Sequence, residues 1–411
     1  MGELFQARTV WEARELLGEH IKADYPVEQV PLLEAMGRRL AQDLTALDAV
    51  PGFTRSTVDG FAVRARDTFG ATESLPAYLD VTGEVLMGQD AAAIGEVGVG
   101  QAWRMPTGGM LPPGADAVVM VEYTEDLDEL TIGVTRPVAP GENIVLAGED
   151  IAAGAGVLSR GHLLRPQDLG LLGAVGVSSV PVLVPPKVGI ISTGDELVET
   201  WEQPGPGQVR DINSYALYGQ AVAAGAQPHI YGIVRDNFNL LLDRLKQALV
   251  ECDMVLLSGG SSIGTRDVAA RALDTLGSPG VLFHGISIKP GKPTVGAVVE
   301  GKPVIGLPGH PVSAMVVFDL LVTPLLRHGV YLDDPLEFPV RARLTRNMRS
   351  ASGREDYLRV RLYQENGELV ADPVLGKSGL ISTMVRATGL ARIASEKEGV
   401  EAGDYIEVKL F

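Results

Sequence analysis

The sequence contains one cysteine, Cys252, so no disulfide can close within the chain, which suits a reducing compartment. In "ALVECDMVLLSGG" that residue stands between a helical pattern and an apolar run, where a small buried hydrophobe is its ordinary role. Basic residues are scarce: 35 Lys and Arg face 52 Asp and Glu, a formal net charge of -17. That balance argues against the extended basic surface on which nucleic-acid or anionic-membrane binding depends. Aromatic residues make up 5%, whereas 49 Gly and 26 Pro imply many tight turns in a chain whose 45% hydrophobic content is globular. No apolar run reaches the length of about 18 residues needed to span a bilayer. The opening "MGELFQARTVWEARELL" carries acids early and lacks the apolar core of a secretory signal. A cytoplasmic, turn-rich, soluble protein is the expectation.

What is present is a succession of textures. At 411 residues the chain predicts about two to four domains. "TVWEARELLGEHIKADY" has helical apolar spacing with Thr9 as N-cap, and a second short helix is predicted at "PLLEAMGRRLAQ". Short β-like runs broken by Gly and Pro then suggest a β-rich insertion over 48–144. Helical periodicity returns in "GVLSRGHLLRPQDLGLLGAVGV", so residues 1–47 and 145–180 are expected to form one discontinuous, elongated domain. Over 181–331 apolar, β-branched runs ("KVGIIS", "HIYGIV", "MVLLS", "PVIGL") alternate with helical segments, the pattern of a doubly wound, mostly parallel sheet. Residues 335–411 alternate as strands, with an "ENGE" hairpin turn, and predict a small C-terminal barrel.

Ligands of such a sheet bind beyond the carboxyl ends of its strands, and the residues just past each run form a consistent set. Asp195 and Glu196 follow the first run, Arg235 and Asp236 the second, and "GGSSIG" with Asp267 the third. Carboxylates crowded at one edge raise one another's pKa, a cost that a hard cation such as Mg²⁺ relieves. Mg²⁺ fits this edge as a whole, although Asp195, Asp236 and Asp267, each taken singly, can equally be a helix cap. In "SGGSSIG", Gly259, Gly260, Ser261 and Ser262 offer a phosphate cradle, yet Gly-Gly-Ser is also an ordinary strand-to-helix turn. Lys289 and Lys292 lie in "IKPGKP", stiffened by prolines. Three residues span at most about 10 Å, so the two ammonium groups can converge on one tetrahedral oxyanion. In "GLPGHPVS", Pro308 and Pro311 fix a loop and Ser313 falls in the first turn of a helix. His310 has no second histidine at ligand spacing and reads as a loop or hydrogen-bonding residue. Catalytic triads, "HExxH", paired cysteines and a complete Walker signature are all absent.

Taken together, "STGDEL" (192–197), "SGGSSIGTRD" (258–267), "IKPGKP" (288–293) and "GLPGHPVS" (306–313) resemble, in this order, the molybdopterin molybdenumtransferases of the MoeA family, which includes the E domain of gephyrin. "STVDGFAVR" (56–64), "RMPTGGMLPPGADAVVMVE" (104–122), "GENIVLAGEDI" (141–151), "GREDYLRV" (353–360) and "GKSGLISTMVRATGL" (376–390) extend the likeness collinearly over nearly the whole chain. The resemblance implies a MogA-like sheet domain within a multidomain α/β protein. It implies an enzyme that inserts molybdate into adenylylated molybdopterin with Mg²⁺-dependent release of AMP, the metal being held near Glu196, Asp236 and Asp267 as its ligands. It also implies an elongated homodimer with a site shared between subunits, which gives Asp59 and Thr107 a role across the interface, and it adds Arg354 and Ser378 to the oxyanion-binding set. A molybdopterin adenylyltransferase and molybdoenzymes or their chaperones are the implied protein partners. Departures from the family pattern are His310, where many members have Asn, Val145, often Arg, "ATG" at 387–389 and the less acidic "GTRD" loop. The rival readings are molybdopterin adenylyl transfer, which would not need the flanking domains, and a non-catalytic scaffold.

Overall fold

The computed structural model describes residues 7–22, 25–93, 95–259, 263–329 and 337–411. They divide into two compact units, Val27–Leu183 and the chain on either side of it.

The unit from Val184 onward is organised by a six-stranded sheet in the order Gln227–Val234, Lys187–Thr193, Met254–Gly259, Lys302–Leu307, Val295–Val299, Pro279–His284. The first four strands run parallel and Val295–Val299 runs against them, with Pro279–His284 returning to the common direction, the mostly parallel, doubly wound sheet implied by the sequence. The apolar runs are buried on both faces because side chains alternate across a strand: Val188, Ile190 and Leu256 enter one core, Ile191, Val255 and Leu257 the other. One of the helical segments expected between the strands is Phe238–Glu251; Asn237 accepts from the amides of Asn239 and Leu240, and Leu241, Leu245 and Ala248 are its buried residues. Thr193 is in register with both Val234 and Gly259, and Ser258 with Leu307, so four strands end together along one edge.

Three helical expectations change. The helix Val10–Gly18 starts at a Thr9–Glu12 capping box, as the sequence suggests, but packs with the sheet unit rather than with a discontinuous domain. Val10, Ala13 and Leu17 join the core that contains Ile288 and Val298, and Arg14 donates to the Leu320 carbonyl at 2.8 Å and pairs with Glu337 at 2.7 Å. No helix forms over "PLLEAMGRRLAQ": only the 3-10 turn Leu32–Glu34 appears, and Gly37, at φ +73°, reverses the chain. The helix expected to carry Ser313 in its first turn begins at Pro311 but is interrupted by a π segment, Phe318–Val322, before Thr323–His328.

Past residue 337 the strands close on themselves, Glu355–Glu365 pairing with both Glu368–Pro373 and Gly389–Ile393, which makes the predicted small barrel. "ENGE" is its hairpin turn, with Asn366 and Gly367 at positive φ. A short strand of the sheet region, Ile288–Lys289, pairs with the barrel residues Glu355 and Asp356.

The unit Val27–Leu183 contains its own six-stranded sheet, ordered Ala117–Met120, Gly60–Val63, Gln101–Met105, Ala77–Glu84, Thr131–Val134, Thr124–Asp126. Segments on either side of this sheet pair with each other: Val27–Pro31 with Ser179–Leu183, and Leu44–Thr45 with Gly156–Leu158. Among the described residues no helix is long and apolar enough to cross a membrane.

Candidate active site

Two differently charged regions lie at the ends of the sheet strands. The first is acidic. Asp195 and Glu196 follow Lys187–Thr193, and Asp236 follows Gln227–Val234. The loops are tied together by Asp195 Oδ1, which accepts from the Asp236 amide at 3.2 Å, and by Arg235, which donates to the Asp195 carbonyl. Partial desolvation, reinforced by the charges of Asp195 and Glu196, pushes the Asp236 carboxyl above its ordinary value. Among the described residues no three acidic, imidazole or thiol side chains are already grouped to hold a metal ion. Asp267 belongs to the helix Ile263–Leu276, inside it rather than capping it, and its side chain lies outside the described ones. Gly260, Ser261 and Ser262 lie outside the described residues.

Gly259 opens that loop. Its φ is +109°, and a Cβ there would come within 2.1 Å of the Thr193 carbonyl oxygen, so only glycine lets the two strand ends lie this close. The next contact was not foreseen from the sequence. Asn213 is buried and donates through Nδ2 to Ser258 Oγ at 2.8 Å and to the Gly309 carbonyl at 2.9 Å, linking the glycine-rich loop to "GLPGHP". Ser214 donates to Asp211 at 2.6 Å and contacts Ser192 Oγ at 3.0 Å, which extends the same network to the first strand. Asn213 Oδ1 finds no partner among the described residues, but the bonds that the network does make hold together the loops they join.

The second region is a cleft of about 630 Å³ between the sheet strand ends and the barrel. Lys289, Lys292, Pro308, Ser313, Arg354 and Ser378 all line it, so these members of the expected set meet in one place, whereas Gly259 is not on its wall. Pro311 is not on its wall but is buried as the first residue of the following helix. Gly291, between the two lysines, has φ +121°, and a Cβ would meet Ile288 and Val317 at 2.7 Å. His310 Nδ1 lies 2.9 Å from Ser378 Oγ, and the Val312 amide donates to the Ser378 carbonyl, so this histidine fastens the loop to the barrel. Arg359 lines the cleft as well and donates through Nη2 to the Gly376 carbonyl at 2.7 Å, which ties it to the loop that carries Ser378.

One member of the cleft has no counterpart in the sequence reading. Asp356, buried in its wall, lies 3.6 Å from Lys289 Nζ and accepts from Arg354 Nε at 2.9 Å. An acid next to arginine in a strand gives no hint of this, because the lysine it meets comes from a distant loop.

Asp59 and Thr107 pair with each other in the unit Val27–Leu183: Asp59 Oδ1 accepts from the Thr107 amide at 2.7 Å and from its hydroxyl at 2.9 Å. Those two bonds hold the Asp59 carboxyl below its ordinary value, and Asp59 lines a hollow of about 410 Å³ with Met87 and Arg104. The residue therefore does more than make the turn before Gly60.

Comparison with known proteins accounts for this combination of parts. Residues 8–176 match the MoeA N-terminal region (domain I and II), 189–328 the family described as "Probable molybdopterin binding domain", and 341–411 the MoeA C-terminal region (domain IV). A molybdopterin molybdenumtransferase of Bacillus subtilis is 33% identical over 395 residues, spanning 95% of this chain and 91% of the relative. The chain belongs to the MoeA family. A second MoeA relative, molybdopterin molybdenumtransferase 2 of Mycobacterium tuberculosis, is 34% identical over 98% of this chain and 99% of its own. The crystal structure of the molybdopterin biosynthesis MoeA protein of Pyrococcus horikoshii superposes with a TM-score of 0.85 at 36% identity, covering 99% of this chain and all of that one. The MoeA architecture thus extends over the whole molecule and is not confined to the sheet domain.

Proposed function

We propose that this chain inserts molybdate into adenylylated molybdopterin and releases AMP. It is an enzyme of molybdenum cofactor biosynthesis, a molybdopterin molybdenumtransferase, as its full-length relatives are named. The observation that carries the reaction is the cleft in which Lys289, Lys292, Arg354, Ser313 and Ser378 meet. A dense set of cations and hydroxyls suits a phosphate and a tetrahedral metal oxyanion, which is substrate here. An oxygen of water or molybdate adds to the pterin-side phosphorus as its anhydride bond breaks; AMP leaves with the electron pair, and an attacking water gives up its proton to solvent. Lys289, Lys292 and Arg354 stabilise the charge that accumulates on those oxygens, and no covalent nucleophile is required.

Mg²⁺ fits the acidic edge on the chemistry of its donors. Glu196, Asp236 and Asp267 supply hard oxygen ligands, and the raised Asp236 carboxyl reports crowding that a cation would relieve. Bound there, Mg²⁺ would neutralise pyrophosphate charge. Gly259 and the residues after it would bring main-chain amides to the same phosphates.

A homodimer belongs to this reading, with Asp59 and Thr107 of one subunit completing the site of the other. The helix Asn213–Ala223 supports it by leaving Tyr215, Tyr218 and Val222 exposed, an aromatic face suited to a partner subunit. A cytoplasmic location is part of the proposal too, supported by the lone, buried Cys252.

The test is direct. Pure protein is incubated with adenylylated molybdopterin, Mg²⁺ and molybdate, and AMP is followed; molybdate-dependent release is expected. Absence of that release overturns the reading, and formation of adenylylated product from ATP and molybdopterin would favour adenylyl transfer instead.

A further inference from the structure

The buried carboxylate of Asp356 is left without a role by the reaction as described. Its residue is 1% exposed, yet it stands in the wall of a cleft assigned to anions, where a negative charge at first sight weakens binding. Each oxygen has its own cation: Oδ2 lies 3.6 Å from Lys289 Nζ, and Oδ1 accepts from Arg354 Nε at 2.9 Å. The main chain repeats the connection. Lys289 and Asp356 are register partners in the short parallel pairing of Ile288–Lys289 with the barrel, and the Glu355 amide donates to the Ser287 carbonyl at 2.9 Å.

What the two cations keep free is as informative as what they use. Arg354 engages Asp356 through Nε alone, which leaves its two Nη groups without a protein partner among the described residues. The Lys289 side chain is 59% exposed despite its ion pair. Both therefore hold donors open to the cleft while their stems are fixed from behind. Lys292 has no ion pair among the described residues, and Lys377 lines the same cleft from the barrel loop.

We propose that Asp356 is the positioning residue of the oxyanion site, holding Lys289 and Arg354 in the arrangement that the anion needs. This rests on the reading of the cleft as an oxyanion site given above. Two long cationic side chains brought together repel each other and have rotamer freedom to lose on binding. A buried carboxylate shared between them removes both costs before the ligand arrives, and its own desolvation is compensated by the pair it holds. The two accounts of Asp356 predict opposite signs. A mere counter-charge, once removed, leaves a more positive cleft that binds anions more tightly. A positioning residue, once removed, leaves two disordered cations that bind them less tightly.

The experiment is titration calorimetry of the full chain with inorganic phosphate and with molybdate, comparing wild type, Asp356→Asn, Arg354→Ala and the variant that combines the two. Asp356→Asn is expected to weaken binding by at least about tenfold, the size of a lost hydrogen bond to a charged group. The double variant is expected to bind no more weakly than Arg354→Ala within about twofold, because both changes disable one unit. Equal or tighter binding by Asp356→Asn overturns the proposal. Should that variant be unfolded at the assay temperature, Asp356→Glu decides, since it keeps the charge but moves it by one methylene: weaker binding at an unchanged melting temperature supports positioning, and unchanged binding overturns it. Failure of the wild type to release AMP would sink the proposed reaction and leave this binding comparison readable.

Discussion

At the acidic edge, Asp195, Glu196 and Asp236 approach one another with their main chains tied and their charges uncompensated by any ion pair among the described residues, and Asp236 titrates high as a result. In the cleft, Lys289 and Arg354 share the buried Asp356. The acids thus await a counter-ion from solution, whereas two of the cations carry theirs within the fold. A hydrated metal ion can adapt its coordination to loosely held carboxylates. A phosphate or molybdate has a fixed tetrahedral shape, so its donors have to be in place beforehand.

The contrast can be broken most severely at single charges. Lys289→Ala and Asp267→Asn are each expected to lower the rate of AMP release by about 10³ or more, the scale of losing a charge that acts in the transition state, with the far-UV circular dichroism unchanged. A wild-type rate in either variant would mean that the site is misplaced. Chelation of Mg²⁺ should separate the two regions: AMP release stops, while calorimetric affinity of the cleft for inorganic phosphate stays the same. A parallel loss of phosphate affinity would show that the regions form one inseparable site.

A smaller effect is expected at the seam between strands. Gly259→Ala forces a Cβ against the Thr193 carbonyl and should cost about 1–3 kcal/mol in a urea melt, the range for strained backbone. Smallest is Asp236→Asn. Because the folded state raises this pKa, the charged carboxylate is a liability that grows as pH climbs through the acid range and is then constant. The variant should therefore melt higher than wild type by about 2 °C near neutral pH without metal, with the gain vanishing in acid. Added Mg²⁺ should stabilise wild type more than the variant. A variant that melts lower in metal-free buffer would contradict crowding as the cause of the raised pKa.

Much of this arrangement is legible in the residues themselves. The strands ending at Thr193, Val234, Gly259 and Leu307 follow from apolar, β-branched runs, and the helix Phe238–Glu251 from its amphipathic spacing and Asn237 cap. "IKPGKP" shows a stiffened pair of cations, and the structure brings it together with Ser313 and the barrel's Arg354 and Ser378. Local pattern fails where the decisive partner is remote. "PLLEAMGRRLAQ" has helical spacing, but Leu33 stays largely exposed and Gly37 turns the chain back. Asn213 reads as a helix-start residue, although its amide joins two loops, and Asp356 reads as one more acid in an acidic protein until Lys289 arrives beside it. Those roles depend on tertiary contact, which spacing along the chain does not encode.

The short pairing of Ile288–Lys289 with Glu355 and Asp356 also bears on how this molecule can be dissected. The family boundaries place residues 189–328 and 341–411 in separate modules, yet the border between them runs through the cleft. A fragment that ends after the sheet keeps both lysines and loses Arg354, Asp356 and Ser378. Gene fusions, exon borders or expression fragments cut at that line would split the binding site and also remove Tyr357, Met384 and Leu390 from the core that they share with the sheet.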